Sequence, residues 1–495
     1  MPENRSYSTF GATLLTIAMR WTDRAIGLVS TLILARLLVP EDFGIIAMAS
    51  LAIALADVVL AFSVHVALIQ NQQATQAHYD TAWTLRLLQT SGSMLVLILI
   101  APLAADYFEE ARLQLVLQLL SLSLLLAGLE NIGIIDFQKH MQFGAELRFR
   151  FLRRIITFAI TVTAAVWLRS YWALVIGTLA GQAIGVVLSY WVHPMRPRIS
   201  FEKFREIFHV SQWMLINRIG VYFQKNLHKI LIGRWSPTGT MGAYTLADEI
   251  SSVPTGELLA PINRALFPSF AKVKDDPARL KEIFLLAQGV QTLIAVPAAA
   301  GLAVIAQEAV PILLGDNWDA TIPFIQVLAL VNIAQALTTS GRWILIVIGR
   351  IRTSALFGWV QVALFAVLAL TVFYESEAIN IAWLRLLVGG TGLWLLLWLL
   401  VRGFPLLRAR EVVANSFRPL LAAAIMALCV TYMATQLAVS IILALVLKVA
   451  VGAIVYTASI AALWWFAGRP PGAESYVLGK TSSLIAAWRR NRTIR

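Results

Sequence analysis

Charge is scarce in this chain. Of its 495 residues only 14% are Asp, Glu, Lys or Arg, against 59% hydrophobic, whereas soluble domains carry about 25% charged residues. With a mean hydropathy of +0.75, that shortage excludes an ordinary soluble fold and points to a polytopic membrane protein. Cysteine is nearly absent: the single Cys429 excludes an internal disulfide, and its apolar surroundings say nothing about redox compartment. Long polar loops are missing too, so no segment between apolar runs holds a globular domain. Metal-ligand spacing is absent among the six histidines, as is a nucleophile elbow. "GKTSS" at Gly479–Ser483 imitates the end of a phosphate loop, but Glu474 occupies the place of its first glycine and no strand precedes it.

What remains is a succession of apolar runs. A span needs roughly 20 residues, and by that measure there are fourteen candidates: 11–38, 43–69, 81–105, 112–135, 147–168, 171–192, 210–234, 241–268, 282–306, 321–346, 354–373, 378–401, 416–435 and 440–467. The first is too long for a signal-peptide core and contains Arg20, Asp23 and Arg24, so it reads as a retained span. The expectation is an all-α polytopic membrane protein with about 14 transmembrane helices, in two pseudo-symmetric six-helix lobes plus two extra helices.

The net charge of +13 raises nucleic acid as a partner, and its distribution argues against it. Lys and Arg collect in alternate loops: "FQKHMQFGAELRFRFLRR", "HPMRPRISFEKFREIF", "AKVKDDPARLKE", "VRGFPLLRAREVVANSFRP" and the tail "AAWRRNRTIR". The intervening loops, "PEDFG", "ADYFEEA", "LGDNWDA" and "YESEA", are acidic. Basic loops stay in the cytoplasm, which supports the span count and a multi-pass topology with both termini inside. Only the loop at 70–80 departs from the alternation, having neither Lys nor Arg.

"ILARLLVPEDFG", ending at Gly44, is echoed by "LIGRWSPTGTMG", ending at Gly242. An offset of 198 positions pairs Arg20 with Arg218, Arg36 with Arg234, Gly44 with Gly242, Ala49 with Ala247, and Ala67–Leu68 with Ala265–Leu266. Intramembrane arginine is rare, so two such coincidences carry weight. Six spans separate the copies, an even number, which makes them parallel repeats. The organisation expected is an N-lobe over 1–192, a basic cytoplasmic linker over 193–209, a C-lobe over 210–401, two added spans over 402–467 and a basic tail over 468–495. Pro40 and Gly44 are expected to make the turn between the first two spans.

A charge at the bilayer centre costs about 2.5–3.5 kcal/mol on insertion scales, so charged positions should face protein or water. Span 1 sets Thr13, Thr16, Arg20, Asp23, Arg24, Gly27 and Thr31 on one helical face. Span 7 has Arg218, Lys225, His228 and Lys229; span 8 has Asp248, Glu249, Glu257 and Arg264; span 2 adds Asp57. One reading makes Arg20, Arg24, Arg218, Lys225 and Arg264 contacts for an anionic substrate in a hydrated cavity. The other has charges pair internally and fasten helices together, as for Asp23 with Arg24 or Lys229 with Asp248. Asp23, Asp57, Asp248, Glu249 and Glu257 are open to either coupling-ion binding or such pairing. Prolines at 254, 261 and 268 should bend span 8, and Gly177, Gly181 and Gly185 should permit close packing of span 6.

"ILARLLVPEDFGIIAMA", "ALIQ" and "YDTAWTLRLL" resemble the N-terminal half of bacterial polysaccharide transporters. These are lipid-linked oligosaccharide flippases of the multidrug/oligosaccharidyl-lipid/polysaccharide exporter superfamily, here of exopolysaccharide or colanic-acid flavour. "NLHKILIGRWSPTGTMGAYTLADEISSVP", "FPSFAKVKDDPARLKEIF", "LLGDNWDATIPFIQVLALV" and "LIVIGRIR" extend the resemblance over roughly residues 8–410. It implies a transporter rather than an enzyme, moving undecaprenyl-diphosphate-linked oligosaccharide by alternating access, with Arg20, Arg24 and Arg218 meeting diphosphate or acidic sugars. It also implies membrane lipids and polysaccharide polymerase or export machinery as partners, a monomer as the working unit, and no cofactor, with a coupling proton or Na+ left open. His228 stands where the family usually has an acid, Ser63 and His65 replace a usual glycine region, and Asn71 and Gln72 replace a usual basic residue. The alternatives are an ion-coupled drug or cation exporter of that superfamily, which calls for an acid-rich cavity, and a membrane glycan polymerase or ligase, which calls for a long catalytic outer loop.

Overall fold

In the computed structural model the described residues are 9–60, 68–69, 71, 73–140, 142–207, 212–436 and 439–480. Their regular structure is all helical, with no strand among them. The long helices, numbered here in chain order, are α1 (Thr9–Leu37), α2 (Pro40–Leu60), α3 (Gln76–Phe108), α4 (Arg112–Leu129), α5 (Phe143–Leu168), α6 (Trp172–Val192), α7 (Gln212–Trp235) and α8 (Thr238–Lys272). They continue with α9 (Pro277–Leu313), α10 (Thr321–Val347), α11 (Ile351–Thr371), α12 (Ala378–Gly403), α13 (Ala409–Gln436) and α14 (Ile441–Phe466). Each answers to one expected span. Among the described residues, eleven of these helices are long and apolar enough to cross a membrane. Helices α1, α7 and α8 carry most of the intramembrane charges singled out from the sequence.

The chain divides into two compact units, Met1–Gly242 and Ala243–Arg495. In the first, α3 and α4 form a hairpin, α5 lies along α6, α4 also meets α6, α1 meets α5, and α2 touches α3, α4 and α7. In the second, α9 is central, packing on α10, α13 and α14, while α12 joins α10 to α11. Large apolar side chains such as Trp167, Leu99 and Leu428 stay over 70% exposed, the surface that hydrocarbon covers in a bilayer.

The α1–α2 connection differs from expectation in one respect. The turn is Leu38–Val39, and Pro40 opens α2, where its missing N–H costs nothing. Gly44 lies inside α2 and serves packing. A Cβ built on it would lie 2.8 Å from the Thr238 carbonyl carbon, and one built on Gly242 would lie 2.8 Å from the Pro40 carbonyl carbon. Thr238 and Pro40 are themselves separated by the repeat offset, so the two helix starts cross reciprocally, as two-fold related surfaces do. Asp42 locks the first copy: its carboxylate accepts from the Val39 N–H at 3.2 Å and from the Tyr171 N–H at 2.7 Å. Glu110 accepts from Arg112 at 2.8 and 2.7 Å and from the Thr238 hydroxyl at 2.8 Å. The Arg112 hydrogen bond holds the Glu110 carboxyl below the usual carboxylate range. Beside it, Glu109 pairs with Arg234.

The glycine series of α6 makes a slot with defined contents. Gly177 faces Thr161, Gly181 faces Thr157 and Gly185 faces the Arg153 guanidinium, all one ridge of α5. Arg153 then donates to the Gly181 carbonyl at 3.1 Å and to Gln182 at 2.5 Å.

Candidate functional site

Intramembrane charge is tolerated where a partner or water replaces bulk hydration, so the site is built from where each charged side chain goes. In the first unit, Asp23 and Arg24 are half-buried on α1. One turn on, Gly27 makes room for Arg154 of α5, whose Nη2 would lie 2.7 Å from a Cβ there. The side chain of Arg20 lies outside the described set. Asp57 on α2 is exposed, as is Lys225 on α7, and Arg218 is half-buried. The α2–α7 contact is pinned by the buried Tyr222 hydroxyl, which donates to the Leu51 carbonyl at 2.9 Å.

A second polar centre in this unit joins α3, α4, α5 and α6. Glu130, at the end of α4, offers one carboxylate oxygen to two guanidiniums, Arg153 at 3.4 Å and Arg86 at 3.8 Å. The linker after α6 is strapped to the first turns of α3. Asp80 accepts from the Arg198 N–H at 3.1 Å, Thr84 Oγ1 from the Ser200 N–H at 3.0 Å, and Thr81 Oγ1 from the Lys203 N–H at 3.2 Å. His78 Nδ1 accepts the Thr75 N–H at 3.1 Å, which leaves Nε2 to donate to Glu206 at 3.0 Å. Lys203 and His78 hold the exposed Glu206 carboxyl below its ordinary value. Nearby, Tyr79 donates to Asp136, and Asp136 Oδ2 lies 3.7 Å from His193 Nε2.

In the second unit Asp248 of α8 pairs with Arg385 of α12 at 2.7 Å, with the Tyr244 hydroxyl 3.4 Å from that guanidinium. Both charged side chains are nearly buried, 15% and 16% exposed. Glu249 is exposed, Glu257 half-buried and Arg264 exposed on α8. Ile250, Pro254, Glu257, Pro261, Arg264 and Pro268 recur at spacings of four and three, one stripe of the helix. Pro261 and Pro268 cannot donate to the carbonyls of Glu257 and Arg264, yet α8 runs unbroken as a helix to Lys272. Helices α13 and α14 are tied in by ion pairs: Lys448 with Glu308 of α9 at 2.5 Å, Arg418 with Glu474 at 2.7 Å, and Lys281 of α9 with Glu411 at 2.7 Å.

Sequence reasoning missed Arg86's partner Glu130, Arg153, Glu308, Arg342 and Arg385. The rule that an arginine inside a span marks a buried contact or a site, applied to the tenth and twelfth spans as it was to the first and seventh, picks out Arg342 and Arg385. Among the described residues no group of three or more His, Cys, Asp or Glu side chains could hold a metal ion.

Comparison with known proteins agrees with the helical architecture. The lipopolysaccharide biosynthesis protein WzxC of Escherichia coli strain K12 is 27% identical over 321 residues, 63% of this chain and 64% of that protein. The chain thus matches slightly under two thirds of that relative's length. The succinoglycan biosynthesis transport protein ExoT of Rhizobium meliloti is 24% identical over 440 residues, 86% of this chain and 87% of its own. Among solved structures, the lipid II flippase MurJ in an inward closed conformation superposes with a TM-score of 0.72 over 92% of this chain and 100% of its own, at 12% identity. That likeness is one of fold. The profile of the family described as polysaccharide biosynthesis protein matches residues 33–323, more than half of the chain, and the protein therefore belongs to that family.

Proposed function

We propose that this protein is a flippase for undecaprenyl-diphosphate-linked oligosaccharide repeat units, carrying them from the cytoplasmic to the periplasmic leaflet for exopolysaccharide, capsule or O-antigen synthesis. The observation that carries the reading is intramembrane arginine on a polysaccharide-transporter scaffold: Arg24 and Arg218 lie half-buried within long helices, in a chain whose family profile is that of polysaccharide biosynthesis. A hydrated glycan and a diphosphate cannot cross hydrocarbon unaided, because stripping water from polar and ionised groups is prohibitive. Guanidiniums replace that water around an anion with charge-assisted hydrogen bonds. The prenyl chain needs no such help and stays in lipid.

Arg20, Arg24, Arg218, Lys225 and Arg264 are the proposed substrate contacts, and alternating access is the proposed cycle. Asp57, Glu249 and Glu257 are the carboxylates proposed to take a coupling cation. The distribution of Lys and Arg supports a topology with both termini in the cytoplasm. A drug or cation exporter calls for acids in place of these arginines, and a polymerase or ligase calls for a long outer catalytic loop.

Deleting the gene tests the reading. Lipid-linked repeat units should accumulate on the cytoplasmic face of the membrane, and the wild-type gene should clear them. A deletion strain with normal polymer and no such intermediate refutes it.

A further inference from the structure

The linker between α6 and α7 has a fastened side and an open side. On the fastened side, Asp80, Thr81 and Thr84 hold its backbone N–H groups. The Asn131 amide donates to the His193 and Met195 carbonyls at 3.3 and 2.8 Å, and Ile207 joins a buried cluster with Tyr79, Leu85 and Ile135. Two of the linker's cations are also spent. Arg196 donates to the Tyr190, His193 and Met195 carbonyls at 3.1, 2.9 and 2.8 Å, which closes the end of α6. Lys203 pairs with Glu206 at 2.9 Å.

The open side is apolar and basic. The Arg198 and Ser200 N–H groups, two residues apart, both donate into α3. That is the period of an extended chain, and it puts Ile199 and Phe201 together on one face. Ile199 is 73% exposed and Phe201 55%. Arg198 and Arg205 are exposed as well, and among the described residues neither guanidinium has an ion-pair partner. The depth of this face follows from the helices beside it. Helix α6 ends at Val192 with Trp191 exposed in its last turn, an aromatic of the kind that marks the membrane–water boundary. Helix α3 has 33 residues, about 50 Å of helix against about 30 Å of hydrocarbon. Its first turns, which hold the linker, therefore stand outside the apolar layer, among the lipid headgroups.

We propose that the linker is a peripheral membrane anchor for anionic phospholipid, with Ile199 and Phe201 inserted at the boundary between headgroups and acyl chains and Arg198 and Arg205 on lipid phosphates. Apolar side chains left free at headgroup depth are what an interfacial segment buries. Unpaired arginines beside them complement the negative surface of a membrane rich in phosphatidylglycerol. Bulk phospholipid fills this surface, so the anchor goes beyond the transport reading and does not depend on what the chain carries. Its effect is mechanical: because Asp80, Thr81 and Thr84 tie the linker to α3, lipid that holds the linker also fixes the first turns of α3 at the membrane surface.

The test is spin-label accessibility in the full chain, with Cys429→Ser as background and one nitroxide at a time on Ile199→Cys, Phe201→Cys or Glu202→Cys. The protein is placed in nanodiscs of dioleoylphosphatidylglycerol or of dioleoylphosphatidylcholine. In phosphatidylglycerol the labels at 199 and 201 should meet dissolved oxygen more than a water-soluble nickel chelate, and the label at 202 should show the reverse. Adding Arg198→Gln and Arg205→Gln should lower the inserted population relative to the free one by about five-fold for each arginine, and so by about 25-fold together. Phosphatidylcholine should lower it in the same direction without any mutation. Labels at 199 and 201 that meet the nickel chelate freely in phosphatidylglycerol overturn the anchor and leave the face to a protein partner. Equal insertion in both lipids, or in the arginine double variant, overturns the recognition of anionic phospholipid. All variants are compared only where they melt as wild type does, and the unlabelled exposed positions 198 and 205 leave the fastened side of the linker intact.

Discussion

Gly44→Ala and Gly242→Ala should each destabilise the protein, and by similar amounts. A methyl at either position meets backbone, the Thr238 carbonyl in one case and the Pro40 carbonyl in the other, with the carbonyl carbon at 2.8 Å in both. Ordinary contact begins at 3.4 Å, so two helix starts must part by at least roughly 0.6 Å in an interior that packs like a crystal. Overpacking of this kind costs about 1–3 kcal/mol. Alanine gives back up to about 1 kcal/mol of helix propensity, which leaves a net loss of up to about 2–3 kcal/mol. Gly92→Ala on α3 is the control, because its Cβ would meet nothing within 4 Å, and it should hold or gain up to about 1 kcal/mol. The assay is thermal unfolding of the three variants in nanodiscs. Gly44→Ala and Gly242→Ala melting at or above wild type, or differing widely from each other, would refute both the crossing and its reciprocity.

Further outcomes follow from the polar contacts. Arg385→Gln, which leaves Asp248 without its 2.7 Å partner, should cost about 3–5 kcal/mol as other broken buried pairs do; adding Asp248→Asn should then cost less than it does in wild type, and additive losses in the melts count against the pairing. Lys448→Met should loosen α14 from α9 by removing the partner of Glu308, read as faster hydrogen exchange confined to those helices. His193 titrates below its ordinary value because burial disfavours the imidazolium, with Asp136 opposing and Arg196 reinforcing. The unfolded chain therefore takes the proton first: this contribution is complete above about pH 6.5 and drains away as pH falls through the lowered folded value. His193→Gln should flatten the melting curve over that acidic range, and an unchanged pH slope would show that His193 is not the responsible group.

Much of this architecture is legible in one dimension because hydrophobic length and loop charge are one-dimensional signals. Every expected span has its helix, and the repeat offset that pairs Gly44 with Gly242 also relates the ends of α1 and α7, Leu37 and Trp235, and the starts of α2 and α8. Pro40 and Gly44 show the limit. Their residue types suggest a turn, yet proline equally opens a helix, and a glycine needed for a crossing helix looks like a glycine needed for a turn. Partners are harder to read. Asp248 finds Arg385 from a span 137 residues away, and Glu130 collects Arg86 and Arg153 from two other helices. No spacing rule along one helix reports such contacts. The Gly177–Gly185 series did announce close packing, but not that an arginine would fill its last place.

The central claim is that intramembrane arginines carry a lipid-linked glycan across the bilayer. Its most direct test is reconstitution of the purified protein into liposomes with undecaprenyl-diphosphate-linked oligosaccharide, following the glycan's exposure to a membrane-impermeant glycosidase. Wild type should expose the inner-leaflet pool to the enzyme, and Arg218→Ala, folded and equally abundant, should not. Protein-independent exposure, or an Arg218→Ala variant that matches wild type, would contradict the account.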